Sequence, residues 1–87
     1  MKNLKNSHIG VLGIGYIGLS LSLEISKKYK VTAYDKSKLR IRELKSFYDS
    51  TLEHNRIDLK KSKTIFTNNK EDLSECNIYI VAVPTPV

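Results

Sequence analysis

The chain holds one cysteine, no tryptophan and two prolines, and it has no apolar run long enough to cross a bilayer. A single thiol, Cys76, excludes an internal disulfide and any metal centre built from several thiolates, so a reducing, cytoplasmic location is expected. Glycine is equally scarce. All four glycines fall between Gly10 and Gly18, which points to a special backbone demand in that window. Acidic residues are in deficit, nine against fifteen Lys and Arg, for a net charge of +6. The 87 residues suffice for one small domain, which buries roughly 60% of the surface its unfolded chain exposes. That excludes an enzyme with separate cofactor and substrate domains. With 40% apolar residues the composition is that of a folded domain, not a disordered one.

Lys2 and Lys5 ahead of the uncharged run Ile9 to Leu23 superficially resemble a secretory signal. The run is studded with glycine, however, Glu24 and two lysines follow it, and no small-x-small cleavage site is visible. Neither a targeting segment nor a membrane partner is expected.

Hydrophobic patterning predicts alternating strands and helices. His8 to Ile14 is a short apolar run ending in the glycines, and it reads as a buried strand. The leucines and isoleucines from Ile17 to Ile25 alternate as in a strand, yet Ile17, Leu21 and Ile25 also make an i, i+4 helical stripe. The glycine spacing decides for a helix from Tyr16 to Lys28. Tyr29 to Tyr34 is β-branched and aromatic, a second strand ending at Asp35. Ser37 then caps a helix with Ile41, Leu44 and Tyr48 on its inner face. A polar stretch from Asp49 to Lys63 carries a short helix around Asp58 to Lys61. Thr64 to Thr67 is a brief third strand, Glu71 to Cys76 a helical turn, and Asn77 to Val83 a fourth strand stopped by Pro84 and Pro86. This order predicts an α/β fold, a doubly wound parallel sheet of about four strands in the order 3-2-1-4, with right-handed crossovers.

Gly13, Gly15 and Gly18 spell G-x-G-x-x-G, a weak signal by itself. A strand precedes it, a helix follows, and Asp35 closes the next strand about 20 residues on, which together make the fingerprint of a Rossmann dinucleotide site. Gly13 permits the turn out of the strand, Gly15 leaves room for a pyrophosphate, and Gly18 lets the helix pack closely on the sheet. Free N–H groups from Ile14 through Tyr16 to Ile17, aided by the helix dipole, are expected to bind the phosphates. Asp35 accepts hydrogen bonds from the adenosine ribose and repels a 2′-phosphate, which favours NAD over NADP. Lys36, Lys38, Arg40 and Arg42 act the other way, because basic groups beside this strand pair with a 2′-phosphate.

The basic run from Lys27 to Lys45 is a charged helix exterior without an interleaved aromatic platform, so no nucleic-acid partner is expected. His8 and His54 lack a carboxylate or cysteine at ligand spacing, and no metal site is expected. Cys76 reads as a small buried hydrophobe.

The run IGVLGIGYIGLSLSLEISKKYKVTAYDKSKLRI, with DSTLE, TIFTN and ECNIYIVAVPTPV after it, resembles the amino-terminal NAD domain of the UDP-glucose/GDP-mannose dehydrogenases. The similarity is greatest to the branch acting on UDP-N-acetylhexosamines in bacterial surface polysaccharide synthesis. It implies that residues 1–87 are the amino-terminal part of the dinucleotide-binding domain of a nucleotide-sugar 6-dehydrogenase. Such enzymes oxidise the C6 alcohol of a UDP-sugar to a uronate with two NAD in succession, through a thiohemiacetal on a catalytic cysteine.

By the same resemblance Gly13 to Gly18 hold the pyrophosphate, Asp35 holds the ribose, Arg40 contacts the adenine end, and Thr85 lies against the cofactor. The family's catalytic cysteine, its lysine and asparagine helpers and its sugar-nucleotide domain have no match here. No residue of this chain is therefore expected to be catalytic, turnover by the chain alone is not expected, and the UDP-sugar partner and a homo-oligomeric state belong to the full-length parent. The alternatives are a stand-alone NAD-binding or regulatory module, and a fragment of another Rossmann dehydrogenase. Two departures stand out: Gly18-Leu19-Ser20 where relatives commonly have Gly-Leu-Pro, and Phe47 where a glycine is frequent. Both are expected to change packing locally.

Overall fold

The computed structural model describes residues 6–50 and 54–82. The β-branched and apolar runs form strands β1 (His8–Leu12), β2 (Lys30–Tyr34), β3 (Ile65–Thr67) and β4 (Ile78–Val81). Helices α1 (Tyr16–Ile25), α2 (Lys38–Lys45) and α3 (Arg56–Lys61) and a 3₁₀ turn over Lys70–Leu73 connect them. The strands lie in the order β3-β2-β1-β4 and all pair in parallel, Val11 standing opposite Ala33 on one side and Ile80 on the other. This is the expected doubly wound arrangement. It places the loop that follows β1 at the centre of the sheet's carboxyl edge, where open α/β sheets bind ligands.

One face of the sheet carries the core. Ile9, Val11, Val31, Ala33 and Phe66 pack with Leu19 and Leu23 of α1, Ile41 and Leu44 of α2 and Leu59 of α3 in one buried cluster. On the other face the 3₁₀ turn seats Leu73 and Cys76 over Gly10. A methyl group on Gly10 would stand 3.2 Å from Cys76 Sγ and 3.0 Å from Tyr79 Cδ1, so this strand glycine makes room for the turn. Burial pushes the Cys76 thiol above its ordinary pKa, in keeping with a packing role.

Helix α1 turns a different face inward from the one its apolar stripe suggests. Leu19 and Leu23 are buried, while Ile17 is 69% exposed and Leu21 lies at the surface. The cause is Gly18, whose close approach to the turn after β1 sets the rotation of the helix (below). Ser22 and Ser26, one and two turns on, are therefore buried too. Their hydroxyls are satisfied within the helix, Ser22 Oγ donating to Gly18 O at 2.7 Å and Ser26 Oγ to Leu23 O at 2.9 Å. The helix also ends before Lys28. Ser26 N–H bonds Ser22 O and Tyr29 N–H bonds Ile25 O, closing a turn that leads straight into β2.

Helix α2 begins as expected, Ser37 Oγ accepting Arg40 N–H at 3.1 Å. It stops too soon to carry Tyr48, which is 53% exposed. Tyr48 N–H bonds Glu43 O and Phe47 N–H bonds Leu44 O, the paired bonds of a Schellman motif, with Phe47 in the left-handed region at φ 62°. That position favours glycine, so Phe47 carries a backbone cost there. Phe47 turns its ring onto the core instead, with the Arg56 guanidinium 5.7 Å from the ring centre. Helix α3 starts at Arg56, earlier than Asp58, because Asn55 Oδ1 accepts Asp58 N–H at 2.9 Å. Strand β4 is latched at its start by Asn77, which exchanges two hydrogen bonds with the His8 backbone. Val83, Pro84 and Pro86 lie outside the described residues.

Candidate cofactor site

The three loop glycines meet three different demands. Gly13 ends β1 because it adopts φ 96°, a left-handed conformation that turns the chain up out of the sheet, while its N–H still bonds Tyr34 O at 2.8 Å. Gly18 leaves no room for a side chain: a Cβ there would stand 1.8 Å from Gly13 O and 2.9 Å from Gly13 C. At Gly15 the situation is reversed, for a Cβ would meet nothing within 4 Å. Packing explains Gly18 and chain geometry explains Gly13. Among the described residues no neighbouring atom accounts for Gly15, which opens on free space at the start of α1.

That helix start is bare. Gly15 is the N-cap residue, no side chain among the described residues bonds the first-turn N–H groups, and the first turn holds no acidic residue. Helix N-termini carry about half a positive charge and unpaired donors, a ready site for an anion. A pyrophosphate fits this cradle, since among the described residues the space beside Gly15 is open and no carboxylate competes for the first-turn donors.

Asp35 stands just past β2, its own N–H extending the ladder to Thr67 O at 3.1 Å. Its carboxylate accepts Ile14 N–H on Oδ2 and Ser37 N–H on Oδ1, both at 2.9 Å. Ile14 N–H is thus not one of the free donors expected from the sequence. It fastens the loop to the carboxylate, and Gly15, Tyr16 and Ile17 keep the N–H groups at the helix start. Asp35 is only partly buried, and each carboxylate oxygen has a further lone pair for a ribose hydroxyl.

Arg40 reaches back from α2 under the same loop. Its Nε donates to Ile14 O at 2.7 Å, Nη2 reaches Gly15 O at 3.4 Å, and Nη1 bonds Asp49 Oδ1 at 2.8 Å. Glu43 Oε2 lies 3.7 Å from the same Nη1, buried and without a hydrogen bond, so it adds only Coulomb attraction. Asp49, with a side chain at 0% exposure, also accepts His54 N–H on Oδ2 at 3.1 Å. His54 in turn places Nε2 2.9 Å from Ser20 Oγ on α1, so Ser20 ties α1 to the loop before α3. In the sequence Asp49 is only the first residue of a polar stretch. Nothing local marks it as buried, because the charge that pairs with it, Arg40, lies on the preceding helix.

The fold brings Gly13 to Gly18, Asp35 and Arg40 together at the carboxyl edge. Ala82 arrives beside them, its N–H bonding Leu12 O at 2.8 Å, whereas Thr85 lies outside the described residues. His8 sits at the opposite edge with Nε2 2.7 Å from Thr32 Oγ1, and burial and Lys30 lower its pKa. Lys36, Lys38 and Arg42 are exposed. Among the described residues no cluster of His, Cys, Asp or Glu is placed to hold a metal, and no helix is long and apolar enough to cross a membrane.

Comparison with known proteins agrees with this geometry. The chain is 46% identical over 88 residues to a UDP-N-acetyl-D-glucosamine 6-dehydrogenase of Pseudomonas aeruginosa, an alignment covering 100% of this chain and 20% of that protein. It is 42% identical over 82 residues to Protein CapL of Staphylococcus aureus, covering 94% and 19%. The solved structure of a UDP-D-ManNAc dehydrogenase from Pyrococcus horikoshii superposes with a TM-score of 0.85 at 31% identity, over 92% of this chain and 21% of that one. The chain spans about a fifth of the length of these relatives. Residues 7–87 match the UDP-glucose/GDP-mannose dehydrogenase family's NAD binding domain, and the chain belongs to that family.

Proposed function

We propose that residues 1–87 form the amino-terminal part of the dinucleotide-binding domain of a UDP-sugar 6-dehydrogenase, and that their task is to hold NAD. The observation that carries this reading is the pairing of a bare helix start at Gly15 with a carboxylate, Asp35, at the end of the neighbouring strand. The N–H groups of Gly15, Tyr16 and Ile17 bind the pyrophosphate and Asp35 binds the adenosine ribose. Gly13 and Gly18 shape the loop, and Thr85 is assigned to the cofactor by family resemblance. NAD, when bound, supplies the hydride acceptor for oxidation of an alcohol.

The relatives' names support a UDP-N-acetylhexosamine as substrate of the full-length protein, oxidised at C6 to a uronate. Surface polysaccharide synthesis in the cytoplasm and a homo-oligomeric assembly complete the proposal. Neither a nucleic acid nor a membrane is a partner.

Calorimetric titration with NAD and NADP tests the cofactor assignment. NAD is expected to bind more tightly. Loss of a hydrogen bond to a charged group costs about 1.5–3 kcal/mol, so Asp35→Ala weakens NAD by about ten- to a hundredfold and NADP less. Because Asp35 also fastens Ile14, the ratio of the two affinities is the decisive readout. NADP binding more tightly than NAD to the unsubstituted chain overturns the assignment.

A further inference from the structure

We infer that Arg40 is a clamp on the backbone of the glycine loop, held in position by the buried carboxylate of Asp49, and that this pair aims the two N–H groups that receive the cofactor's phosphates. The inference deepens the proposed function and rests on it for the identity of the ligand. The clamp itself is read from contacts within the chain.

The argument runs through peptide planarity. Ile14 C=O and Gly15 N–H belong to one peptide unit, and Gly15 C=O and Tyr16 N–H to the next. In a trans peptide the oxygen and the hydrogen point in opposite directions, and no cis bond occurs among the described residues. Arg40 donates to the first oxygen at 2.7 Å and reaches the second at 3.4 Å. Fixing those oxygens from beneath therefore turns the N–H groups of Gly15 and Tyr16 to the side away from Arg40, and Gly15 opens on unfilled space. The preceding unit is gripped the other way round, Ile14 N–H bonding Asp35 Oδ2. Two side chains thus grip three successive peptides, the third being held as well by Leu19 N–H, which donates to Gly15 O at 3.3 Å. A cation on a carbonyl oxygen also polarises its peptide, which strengthens the opposite N–H as a donor.

Arg40 needs its own support to hold this pose. Its side chain is 10% exposed, so little of it is left to meet a ligand directly, and Asp49 neutralises it at 2.8 Å with none of its own side chain exposed. Asp49 is anchored by His54 N–H. A planar five-donor fork fits this arrangement, reaching two carbonyls and one carboxylate, whereas a lysine ammonium offers one point charge. Asp49 is in this sense a positioning residue: it acts on the cofactor through Arg40 and the loop.

The test combines nuclear magnetic resonance and calorimetry on the chain itself. In the unsubstituted chain the Arg40 Hε is expected to exchange with solvent more slowly than those of the exposed Arg42 and Arg56, and equal rates overturn the clamp without any substitution. In Arg40→Lys and in Asp49→Asn the Gly15 and Tyr16 amide resonances shift without ligand, NAD binding weakens about tenfold, equivalent to about 1.4 kcal/mol, and adenosine binding is unchanged. Unmoved Gly15 and Tyr16 amides in a folded Arg40→Lys chain overturn the inference. Loss of adenosine affinity with unmoved amides assigns Arg40 to the adenine end instead. An unsubstituted chain that binds no NAD refutes the proposed function, and the exchange rates and amide shifts then decide the clamp separately.

Discussion

Helices α1 and α2 begin close together, bridged by Arg40, and they begin in opposite ways. Helix α2 opens on Ser37, whose hydroxyl takes up Arg40 N–H, while α3 and the 3₁₀ turn open on Asn55 and Asn69, each accepting an N–H of its first turn. Helix α1 opens on Gly15 and has neither a capping side chain nor a first-turn acid. A good cap is worth about 1 kcal/mol over alanine but only about a few tenths over glycine, so α1 forgoes a small stabilisation that α2, α3 and the 3₁₀ turn take. Exposed helix-start donors take water or an anion, and the proposed function assigns them to the cofactor's phosphates.

The strongest way to break the contrast is to disturb the seat of α1. Gly18→Ala places a methyl on the Gly13 carbonyl, a backbone contact that no rotamer change relieves. Overpacking of this kind costs about 3 kcal/mol, and the helix must lift from β1. Urea denaturation is expected to show that loss together with lost NAD binding, and an unfolding midpoint unchanged from the parent contradicts the packing described here.

A subtler change makes α1 resemble α2. Gly15→Asp supplies a carboxylate that caps the first turn from within and repels a phosphate. Stability is expected to move by less than about 1 kcal/mol, while NAD affinity falls about a hundredfold, equivalent to about 2.7 kcal/mol. NAD binding that survives Gly15→Asp shows that the phosphates do not use this helix start. The smallest effect is the converse one. Ser37→Ala removes the cap of α2 and lowers stability by about 1 kcal/mol, with NAD binding nearly unchanged because Asp35 is held by the Ser37 backbone rather than its hydroxyl. A large loss of affinity in Ser37→Ala would couple the two helix starts more tightly than their hydrogen bonds indicate.

Residues close in sequence determined much of this protein. The spacing of Gly13, Gly15 and Gly18 after an apolar strand, with Asp35 closing the next, sufficed for the turn and the cofactor class, because each requirement is met within one β-α-β unit, and the alternation of strands with helices along the chain sufficed for the strand order. Ser37 was legible as a cap for the same reason, its partner being three residues away. The inward face of α1 was not legible. Periodicity offered Ile17 and Leu21, but the contact of Gly18 with Gly13 rotates the helix to bury Leu19, Ser22 and Leu23, and a steric limit of that kind outranks hydrophobic pattern. The end of α2 escaped likewise, since Phe47 takes a left-handed conformation in which core packing compensates for the backbone cost. Only the tertiary structure decided that Ile14 N–H is spent on Asp35, and that Arg40 is held between two loop carbonyls and Asp49. Such bonds join groups that the chain brings together only after the sheet has formed, and no local preference of Arg40 or Asp49 encodes them.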